Sequence, residues 1–346
     1  MSTAIVWLRS TLRVHDNPLL DWAYRSEEID SVIPVFVLDT GRGMGEEEQI
    51  GPNRMRFLYD SLTDLDDRLR EEYSARLLVL EGRPEEAIPL LAGKLGSTGW
   101  LLCDYQADPR SRGQIGEIKA SVSEMGVRTK VFPSVSTILD VEEAIARPGF
   151  RDPKSSNDIG AIMGRNLGEG PDGYLVPPPL DPPAEVKFEA EEYDSLRDSE
   201  SLSGLVVTRG EISRRVNDLD MGEPYFPGGE GEALDRLRRK MSDRPDFVNG
   251  FSKPATMSTN EAGNPLEPST TGLSPYLSTG CLSVRKVWDE CHKANLGSDH
   301  TKPPKSLIGQ LMFREMFYLL SRSVENWDDD VGNSNCKPIE WGEHDE

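Results

Sequence analysis

Residues 270–283, which read TTGLSPYLSTGCLS, contain two helix starts in close succession. Ser274 is a favourable N-cap residue, and Pro275 follows at the first helical position, where a missing N–H group costs nothing. Gly280 is placed to end this short helix in a left-handed conformation, and Ser283 is placed to cap a second helix. Because a hydroxyl-rich turn before a helix leaves backbone N–H groups free, the stretch predicts either an anion-binding turn or an ordinary capped turn between two helices.

Far upstream, in residues 1–132, short apolar runs alternate with helical patterns. Apolar runs that lack polar alternation are typical of strands buried on both faces. Five strands are predicted, at 4–8, 31–38, 76–80, 100–104 and 128–132. Four helices are predicted between them, at 18–24, 53–73, 84–95 and 112–125. This alternation predicts a doubly wound α/β domain with a five-stranded parallel sheet, whose ligands bind beyond the carboxyl ends of the strands.

The two remaining parts of the chain differ in composition. Residues 133–204 carry the proline-rich run GPDGYLVPPPLDPP at 170–183 and an acidic run at 187–200, which predict a long surface connection between domains. Residues 205–346 have helical patterns and predict an all-α domain. Four helices are predicted there, at 231–241, 275–279, 283–295 and 306–324. Residues 260–269, just before the opening stretch, are predicted as a polar loop.

Overall composition gives a strongly acidic protein. The 346 residues carry a net charge of −21, so a basic surface for nucleic acid is expected only as a local patch. The composition also fits a halophilic protein from a salt-rich cytoplasm, where charge repulsion is screened. The four cysteines have no metal-binding spacing and are predicted to be reduced thiols, which is typical of a cytoplasmic protein. No run approaches the roughly 18 apolar residues that span a membrane.

The stretch at 270–283 resembles the flavin-phosphate turn of the DNA photolyase and cryptochrome family, whose pattern is T-[ST]-x-LSPYL-x-x-G-x-LS. Five more segments resemble family segments in the same order. They are WLRSTLRVHDNPLL at 7–20, GPNRMRFLYDSLTDLD at 51–66, FPGGEGEALDRL at 226–237, GQLMFREMFYLLSRSVENWD at 309–328 and GNSNCKPIEW at 332–341. Among the family's branches, the one that contains (6-4) photolyases and animal cryptochromes is the most similar.

The resemblance implies a set of binding residues. FAD is the implied cofactor, and an antenna chromophore of deazaflavin or folate type is the second implied ligand of the family. The implied FAD contacts are Phe251, Thr270, Thr271, Gly272, Leu273, Ser274, Gln310, Arg314 and Phe317. The implied contacts to ultraviolet-damaged DNA are Lys253, Gln310, Phe313 and Arg314. No catalytic residue is identified.

Helix 306–324 carries much of this implied site. Gln310, Phe313, Arg314 and Phe317 fall at spacings of three and four, so they share one helix face. In the resemblance, that face looks into the flavin cavity and the opening that admits a flipped base pair. The alternative is that Arg314 forms an ordinary ion pair with an acid of a neighbouring helix, at Asp289 or Glu290.

Two other polar groups carry less functional signal. The histidines at 15, 292, 300 and 344 have no mutual spacing for a metal site or a catalytic triad, so no metal is predicted. Arg236, Arg238, Arg239 and Lys240 form a basic cluster on one helix, but acids nearby make it a weak candidate for contacting DNA.

The resemblance also sets the functional expectations. Family members continue with segments that line the flavin ring, and none of these segments occurs in this sequence. We therefore expect an incomplete all-α FAD-binding domain, with a separate chain as a candidate source of the remaining segments. Three functions stay open: light-driven repair of ultraviolet-damaged pyrimidine pairs by electron transfer from reduced FAD, blue-light reception without repair, and a non-catalytic remnant whose α/β domain binds an antenna chromophore or a nucleotide.

Overall fold

The computed structural model describes residues 2–40, 50–219, 221–253, 260–261 and 264–329, together with 332, 333 and 335. Residues 41–49, Cys336, His344 and most of the family-like segment 332–341 lie outside these ranges.

The N-terminal part is a five-stranded parallel sheet with the strand order β3-β2-β1-β4-β5, as the alternating pattern predicts. The strands are β1 (Thr3–Trp7), β2 (Ser31–Asp39), β3 (Leu78–Gly82), β4 (Thr98–Asp104) and β5 (Arg128–Phe132). Alternate side chains of β1 enter two different apolar cores, with Ala4 and Val6 on one face and Ile5 and Trp7 on the other. Both faces of the sheet are therefore covered, which explains why its strands lack polar alternation.

Four helices flank the sheet, and each has a proline at its start. They are α1 (Pro18–Arg25), α2 (Pro52–Tyr73), α3 (Pro84–Leu95) and α4 (Pro109–Glu124). Asn17 caps α1 by accepting hydrogen bonds from the N–H groups of Leu19 and Leu20, as its position before Pro18 predicts.

Residues 133–204 are more structured than the predicted surface connection. They contain α5 (Val141–Ala146), α6 (Ser156–Leu167), the short hairpin β6 (Glu169–Gly170) and β7 (Gly173–Tyr174), and α7 (Ala190–Arg197). Side chains from this segment, including Ile159 and Met163, are buried in the main core. The proline and charge content that predicted a loosely packed connection describes the exposed positions, whereas a few apolar residues suffice to anchor the segment.

The C-terminal part of the described chain is helical, with one hairpin. Its helices are α8 (Arg209–Asp218), α9 (Glu230–Leu237), α10 (Pro245–Gly250), α11 (Ser274–Thr279), α12 (Val284–Asn295) and α13 (Leu307–Ser323). A π-helical turn, Arg238–Ser242, continues α9, so the single predicted helix 231–241 is divided. The predicted polar loop 260–269 is instead largely a two-stranded hairpin of β8 (Asn260–Glu261) and β9 (Asn264–Pro268).

Glu315 attaches α13 to the segment that follows the sheet. Its carboxylate is 1% exposed, and Oε2 accepts the N–H groups of Ile138 and Leu139, both at 3.0 Å. Burial raises the pKa of this carboxyl, because the charge of Arg314 and the two amide hydrogen bonds offset the desolvation only in part. These two hydrogen bonds hold the Glu315 face of α13 against residues 138–139, so the opposite face of the helix points away from that segment.

Candidate functional site

The turn at residues 270–283 has the predicted backbone form with one exception. Gly272 and Gly280 have φ of +64° and +76°, the left-handed region that favours glycine. Ser283 caps α12 by accepting the N–H groups of two following residues at 3.1 and 3.4 Å. The prediction that Ser274 caps α11 is wrong, because Leu273 occupies the cap position and no side chain bonds the helix start.

Free backbone donors lie directly before α11. In the described chain, the N–H groups of Thr271, Gly272 and Leu273 donate to no protein acceptor. Thr270 and Thr271 are half-buried, and Ser274 is exposed. Because α11 has only six residues, the positive potential at its start comes mainly from these individual N–H groups and less from a helix dipole.

An open cavity of about 400 Å³ lies beside this turn. Ser269 and Thr270 line one side, and Phe247, Phe251 and Ser252 line the other. The rings of Phe247 and Phe251 meet edge to face with centroids 6.0 Å apart. The cavity therefore joins an aromatic wall to the start of the donor-rich turn.

The sequence-predicted face of α13 reaches the same region in part. Arg314 donates to the carbonyl oxygens of Ser136 and, at 3.4 Å, of Leu277 in α11, and its guanidinium stacks over Tyr318. The alternative ion pair with Asp289 or Glu290 does not form. Arg314 binds carbonyl groups instead, and its nearest carboxylate oxygen, in Glu315, lies 3.9 Å away.

The other predicted residues of α13 have separate surroundings. Gln310 donates to the carbonyl of Pro304 at 3.0 Å. Lys253 lies over the ring of Phe313 with its ammonium 5.5 Å from the centroid. The backbone N–H of Lys253 donates to the carbonyl of Lys305, just before α13, at 2.8 Å. Phe317 is 53% exposed, so the face offers an uncovered aromatic surface. The structure thus brings Lys253 to the ring of Phe313 and places Phe251 and Thr270 around one cavity, a cavity whose lining includes neither Gln310 nor Phe317.

The basic cluster on α9 and the π-helical turn is mostly neutralised. Arg236 and Lys240 are buried and bind the Glu267 carboxylate at 3.0 and 2.6 Å. Burial alone would raise the pKa of Glu267, but hydrogen bonds from Lys240 and Tyr225 and the charge of Arg236 lower it to about 2. Arg239 pairs with Glu232, and Arg238 pairs with two exposed acids. These ion pairs engage the cluster within the protein, and the buried Arg236 lies next to Gly272.

Sequence reasoning missed the polar contacts that join the sheet to the turn. The fully buried Arg13 donates to four carbonyl oxygens, including those of Gly280 at 2.9 Å and Val135 at 3.1 Å. Asp16 accepts Arg285 at 2.6 and 3.0 Å and the hydroxyl of Ser283. The sequence contains a signal for these contacts, because the RVHDN run at 13–17 places four polar or charged side chains in the segment that follows the buried strand β1.

We call this set of contacts the buried hub, and His15 and Glu230 lie at its centre. Its residues are Arg13, His15, Asp16, Glu230, Ser283 and Arg285. Glu230 is fully buried and accepts the N–H groups of Val14 and His15 at 2.7 and 3.0 Å and the imidazole Nδ1 at 2.5 Å. The Ser283 N–H donates to the imidazole Nε2 at 3.3 Å. Because Nε2 accepts and Nδ1 donates, the geometry assigns His15 as a neutral imidazole.

The folded state should lose stability as pH falls below about 6.5, the ordinary pKa of histidine. Burial lowers the pKa of His15 although the Glu230 hydrogen bond and charge favour its proton, so the unfolded chain protonates first and acid favours unfolding. Urea unfolding at pH values of about 7.5, 6.5 and 5.5 measures this change. His15→Asn keeps a donor for Glu230 and does not titrate, so its free energy of unfolding should fall less between pH of about 7.5 and 5.5. An equal fall in both proteins would contradict the assignment of His15 as a neutral imidazole.

A second cavity lies at the carboxyl edge of the sheet. It has a volume of about 170 Å³, and its lining includes Trp7, Arg9, Asp39 and Gln114. Arg9 stacks on Trp7 at 4.6 Å and donates Nη2 to Gln114 at 3.1 Å, while its buried Nη1 has no partner in the described chain. The cavity opens where β1 and β2 end, the edge at which doubly wound sheets bind ligands.

Comparison with known proteins gives the family. Residues 4–155 match the family model described as DNA photolyase. The chain is 34% identical to a (6-4)DNA photolyase of Oryza sativa subsp. japonica over 100% of this chain and 60% of that protein. The chain belongs to the DNA photolyase and cryptochrome family. It is also 32% identical to Cryptochrome-1 of Gallus gallus, over 99% of this chain and 52% of that protein.

Solved structures agree on the fold of this family member. A Synechocystis cryptochrome matches with a TM-score of 0.68 and 20% identity, over 93% of this chain and 62% of that one. An archaeal photolyase from Sulfolobus tokodaii, solved with two FAD molecules, matches with a TM-score of 0.60 and 22% identity, over 92% and 59% of the two chains. The chain thus spans between 52% and 62% of the length of these four proteins.

Membrane-spanning helices and metal clusters are both absent from the described residues. None of their helices has the length and apolar content needed to cross a bilayer. No group of three or more histidine, cysteine or acidic side chains there is arranged to hold a metal ion. Cys103, Cys281 and Cys291 are buried free thiols.

Proposed function

We propose that this chain contributes the phosphate-binding part of an FAD site in a photolyase-type flavoprotein. Residues 270–274 would hold the pyrophosphate through backbone N–H and hydroxyl groups. The observation that carries this proposal is the set of three N–H groups at 271–273 that have no acceptor in the described chain. Unpaired N–H groups in a turn with a left-handed glycine are typical of anion-binding concavities.

The remaining FAD contacts follow from the surroundings of the turn. Phe251 would pack against the cofactor through the cavity that it shares with Thr270. Arg314, through its bond to the Leu277 carbonyl, would orient α13 against α11, while Gln310 and the exposed Phe317 would face the cofactor. The guanidinium of buried Arg236 lies behind Gly272, and its Nε donates no hydrogen bond in the described chain, although the Glu232 carboxylate lies 3.6 Å away.

The proposed activity is light-driven repair of ultraviolet-damaged pyrimidine pairs in DNA. Bound FAD in its reduced form supplies the electron on excitation by blue light. Phe313 would stack on an extruded base, and Lys253, held above its ring, would bind the neighbouring phosphate. The surface remains acidic overall, so this contact would be local and sensitive to salt.

Two other functions have support of their own. Cryptochromes among the relatives, at 31–32% identity, support blue-light reception without repair. The cavity at the sheet edge, with the unpaired Nη1 of Arg9, supports binding of an antenna chromophore or a nucleotide by the α/β domain. Retention of a flavin without repair would favour the first, and chromophore binding without flavin would favour the second.

We further propose a division into an α/β domain at 1–132, an interdomain segment at 133–204 and a partial helical FAD domain at 205–346. A separate chain that supplies ring-lining segments, and a salt-rich cytoplasm as the location, belong to the same proposal. Co-purification of a second polypeptide under high-salt conditions would test the first of these ideas.

Flavin uptake tests the proposal. The purified protein is expected to bind FAD in a fluorescence titration, with Gly272→Ala weakening the affinity by about tenfold, or 1.4 kcal/mol. The new Cβ would lie 2.9 Å from Nη1 of Arg236 and 3.2 Å from Phe226, so either the turn or the Arg236 guanidinium must shift. Gly96→Ala is the matched control, because Gly96 has a similar φ of +60° and no neighbour within 4 Å.

Repair is tested separately on the flavin-loaded protein. Oligonucleotides that carry either a (6-4) product or a cyclobutane dimer are illuminated with blue light and assayed for restored pyrimidines. Restoration of one lesion supports the photolyase function and identifies its substrate, whereas light-induced flavin changes with neither lesion restored favour the receptor. Failure to take up any flavin contradicts both.

A further inference from the structure

A large groove outside the proposed FAD site lies between the β6–β7 hairpin and the C-terminal half of α12. Its wider part has a volume of about 680 Å³. Residues 171–174, Trp288 and His292 also line a narrower part of about 200 Å³, so the two parts are continuous. The wider part alone falls in the size range of small-molecule sites, roughly 300–1,000 Å³.

Planar side chains form the inner wall of this groove. Tyr174 and Trp288 lie with ring centroids 6.3 Å apart at an angle of 48°. Trp288 is 4% exposed, so it is fixed by the core, and Tyr174 is half-buried at the end of the hairpin. Prolines 171, 177 and 178 continue the narrower wall, which gives the proline-rich run 170–183 a structural role. Such a wall favours a flat, rigid ligand.

A positive group lies at the other wall. The carbonyl of Ser298 can only accept, so the imidazole Nδ1 of His300, 2.8 Å away, donates to it. The His300 Nε2 therefore accepts from the Lys302 ammonium at 2.9 Å. Across the described ranges, this ammonium has no carboxylate within 4.0 Å, although the whole chain has a net charge of −21. An unpaired ammonium oriented by an imidazole offers two remaining donors to an anion.

Two carboxylates, which can accept hydrogen bonds from the N–H groups of a ring, line the same groove. Asp172 and Asp299 contribute to its lining and have no cation partner in the described chain. Two other charged lining residues are already engaged, because Arg285 binds Asp16 and Asp289 binds Lys293. The unengaged charges are thus one ammonium and two carboxylates, which match an anionic group and the N–H groups of a ring.

We propose that this groove binds a planar nitrogen heterocycle that carries an anionic group, of the nucleotide class. The ring packs along Tyr174 with its N–H groups toward Asp172 or Asp299, and the anionic group binds Lys302 and His300. The groove shares no lining residue with the cavity beside Thr270, so both sites can be filled at once.

Binding of AMP to the full chain tests this inference by isothermal titration, with adenosine and inorganic phosphate as separate probes. AMP is expected to bind more tightly than either fragment. Lys302→Gln should weaken AMP binding by about tenfold, the loss of one charge-assisted hydrogen bond. Lys305→Gln is the matched control, since Lys305 is exposed in the same loop and does not line the groove. It should change AMP affinity less than about twofold.

Several results would overturn the proposal. No AMP binding at millimolar concentration excludes the site, and phosphate binding as tightly as AMP removes the role of the ring. Equal effects of the two lysine variants show a general charge effect. Gly272→Ala should leave AMP binding unchanged, and its loss in that variant would show that AMP occupies the phosphate turn instead.

Discussion

Gly280→Ala is expected to destabilise the protein by about 2–5 kcal/mol, measured by urea unfolding. Alanine at a left-handed position costs about 1–2 kcal/mol, and φ of Gly280 is +76°. The new Cβ would also overlap the carbonyl group of Ser10 and lie 2.7 Å from the N of Thr11. These neighbours are backbone atoms of the loop after β1, so they cannot move as a flexible side chain would, and overpacking adds about 1–3 kcal/mol.

Gly96→Ala separates the two causes of this loss. Gly96 ends α3 with φ of +60°, and a methyl group added there would meet no neighbouring atom within 4 Å, so only the conformational cost applies. The control should lose about 1 kcal/mol. If Gly280→Ala lost no more than Gly96→Ala, the close approach of the turn to the Ser10 carbonyl would be contradicted.

Glu230→Ala is expected to cost at least about 3 kcal/mol, because it leaves three buried donors without their acceptor, at about 1–3 kcal/mol each. The substitution leaves the N–H groups of Val14 and His15 and the imidazole Nδ1 without their acceptor. It also leaves Arg68, whose Nε lies 3.2 Å from the Glu230 carboxylate, without that partner. Because these donors belong to the loop after β1, the attachment of the sheet to α9 and α12 should weaken as a unit.

Asp235→Ala on the same helix is the control for this variant. Asp235 is 61% exposed in its side chain and forms a 3.4 Å pair with the exposed Arg238, so its loss should cost less than about 1 kcal/mol. Thermal or urea unfolding of both variants at pH of about 7.5 measures the difference. Similar losses in the two variants would show that the hub does not carry the stability assigned to it.

The hub also gives the turn at residues 270–283 a defined position relative to the sheet. Arg13 binds the Gly280 carbonyl and Asp16 binds Ser283, so both ends of the link between α11 and α12 are held by the loop after β1. Loss of the hub should therefore reduce FAD affinity as well as stability if the turn is the cofactor site.

The sequence predicted those features whose cause is local. All five strands were predicted within about two residues, because fully apolar runs have few alternatives in an α/β pattern. Ser283 and Gly280 were predicted in their capping roles, since helix ends depend on the residues at the ends themselves. Ser274 was predicted wrongly, because Leu273 takes the cap position and nothing in the local sequence excludes that one-residue shift.

Long-range polar contacts were beyond local patterns. Arg314 binds carbonyl oxygens of two distant segments, whereas its sequence position predicts either a flavin-cavity contact or an ion pair with Asp289 or Glu290. The spacing of His15 from the other histidines predicts neither a metal site nor a catalytic triad. Its partners in the structure, Glu230 and Ser283, are more than 200 residues away in the sequence. Neither contact has a periodic signal, because the fold alone brings these residues together.

The central claim is that residues 270–274 bind the pyrophosphate of FAD. The most direct measurement is an isothermal titration of the protein with FAD, with and without excess inorganic pyrophosphate, in the natural chain and in Gly272→Ala and Gly96→Ala. We expect that pyrophosphate competes with FAD, that Gly272→Ala loses about tenfold in affinity and that Gly96→Ala binds normally. FAD binding that is insensitive to both pyrophosphate and Gly272→Ala would contradict it.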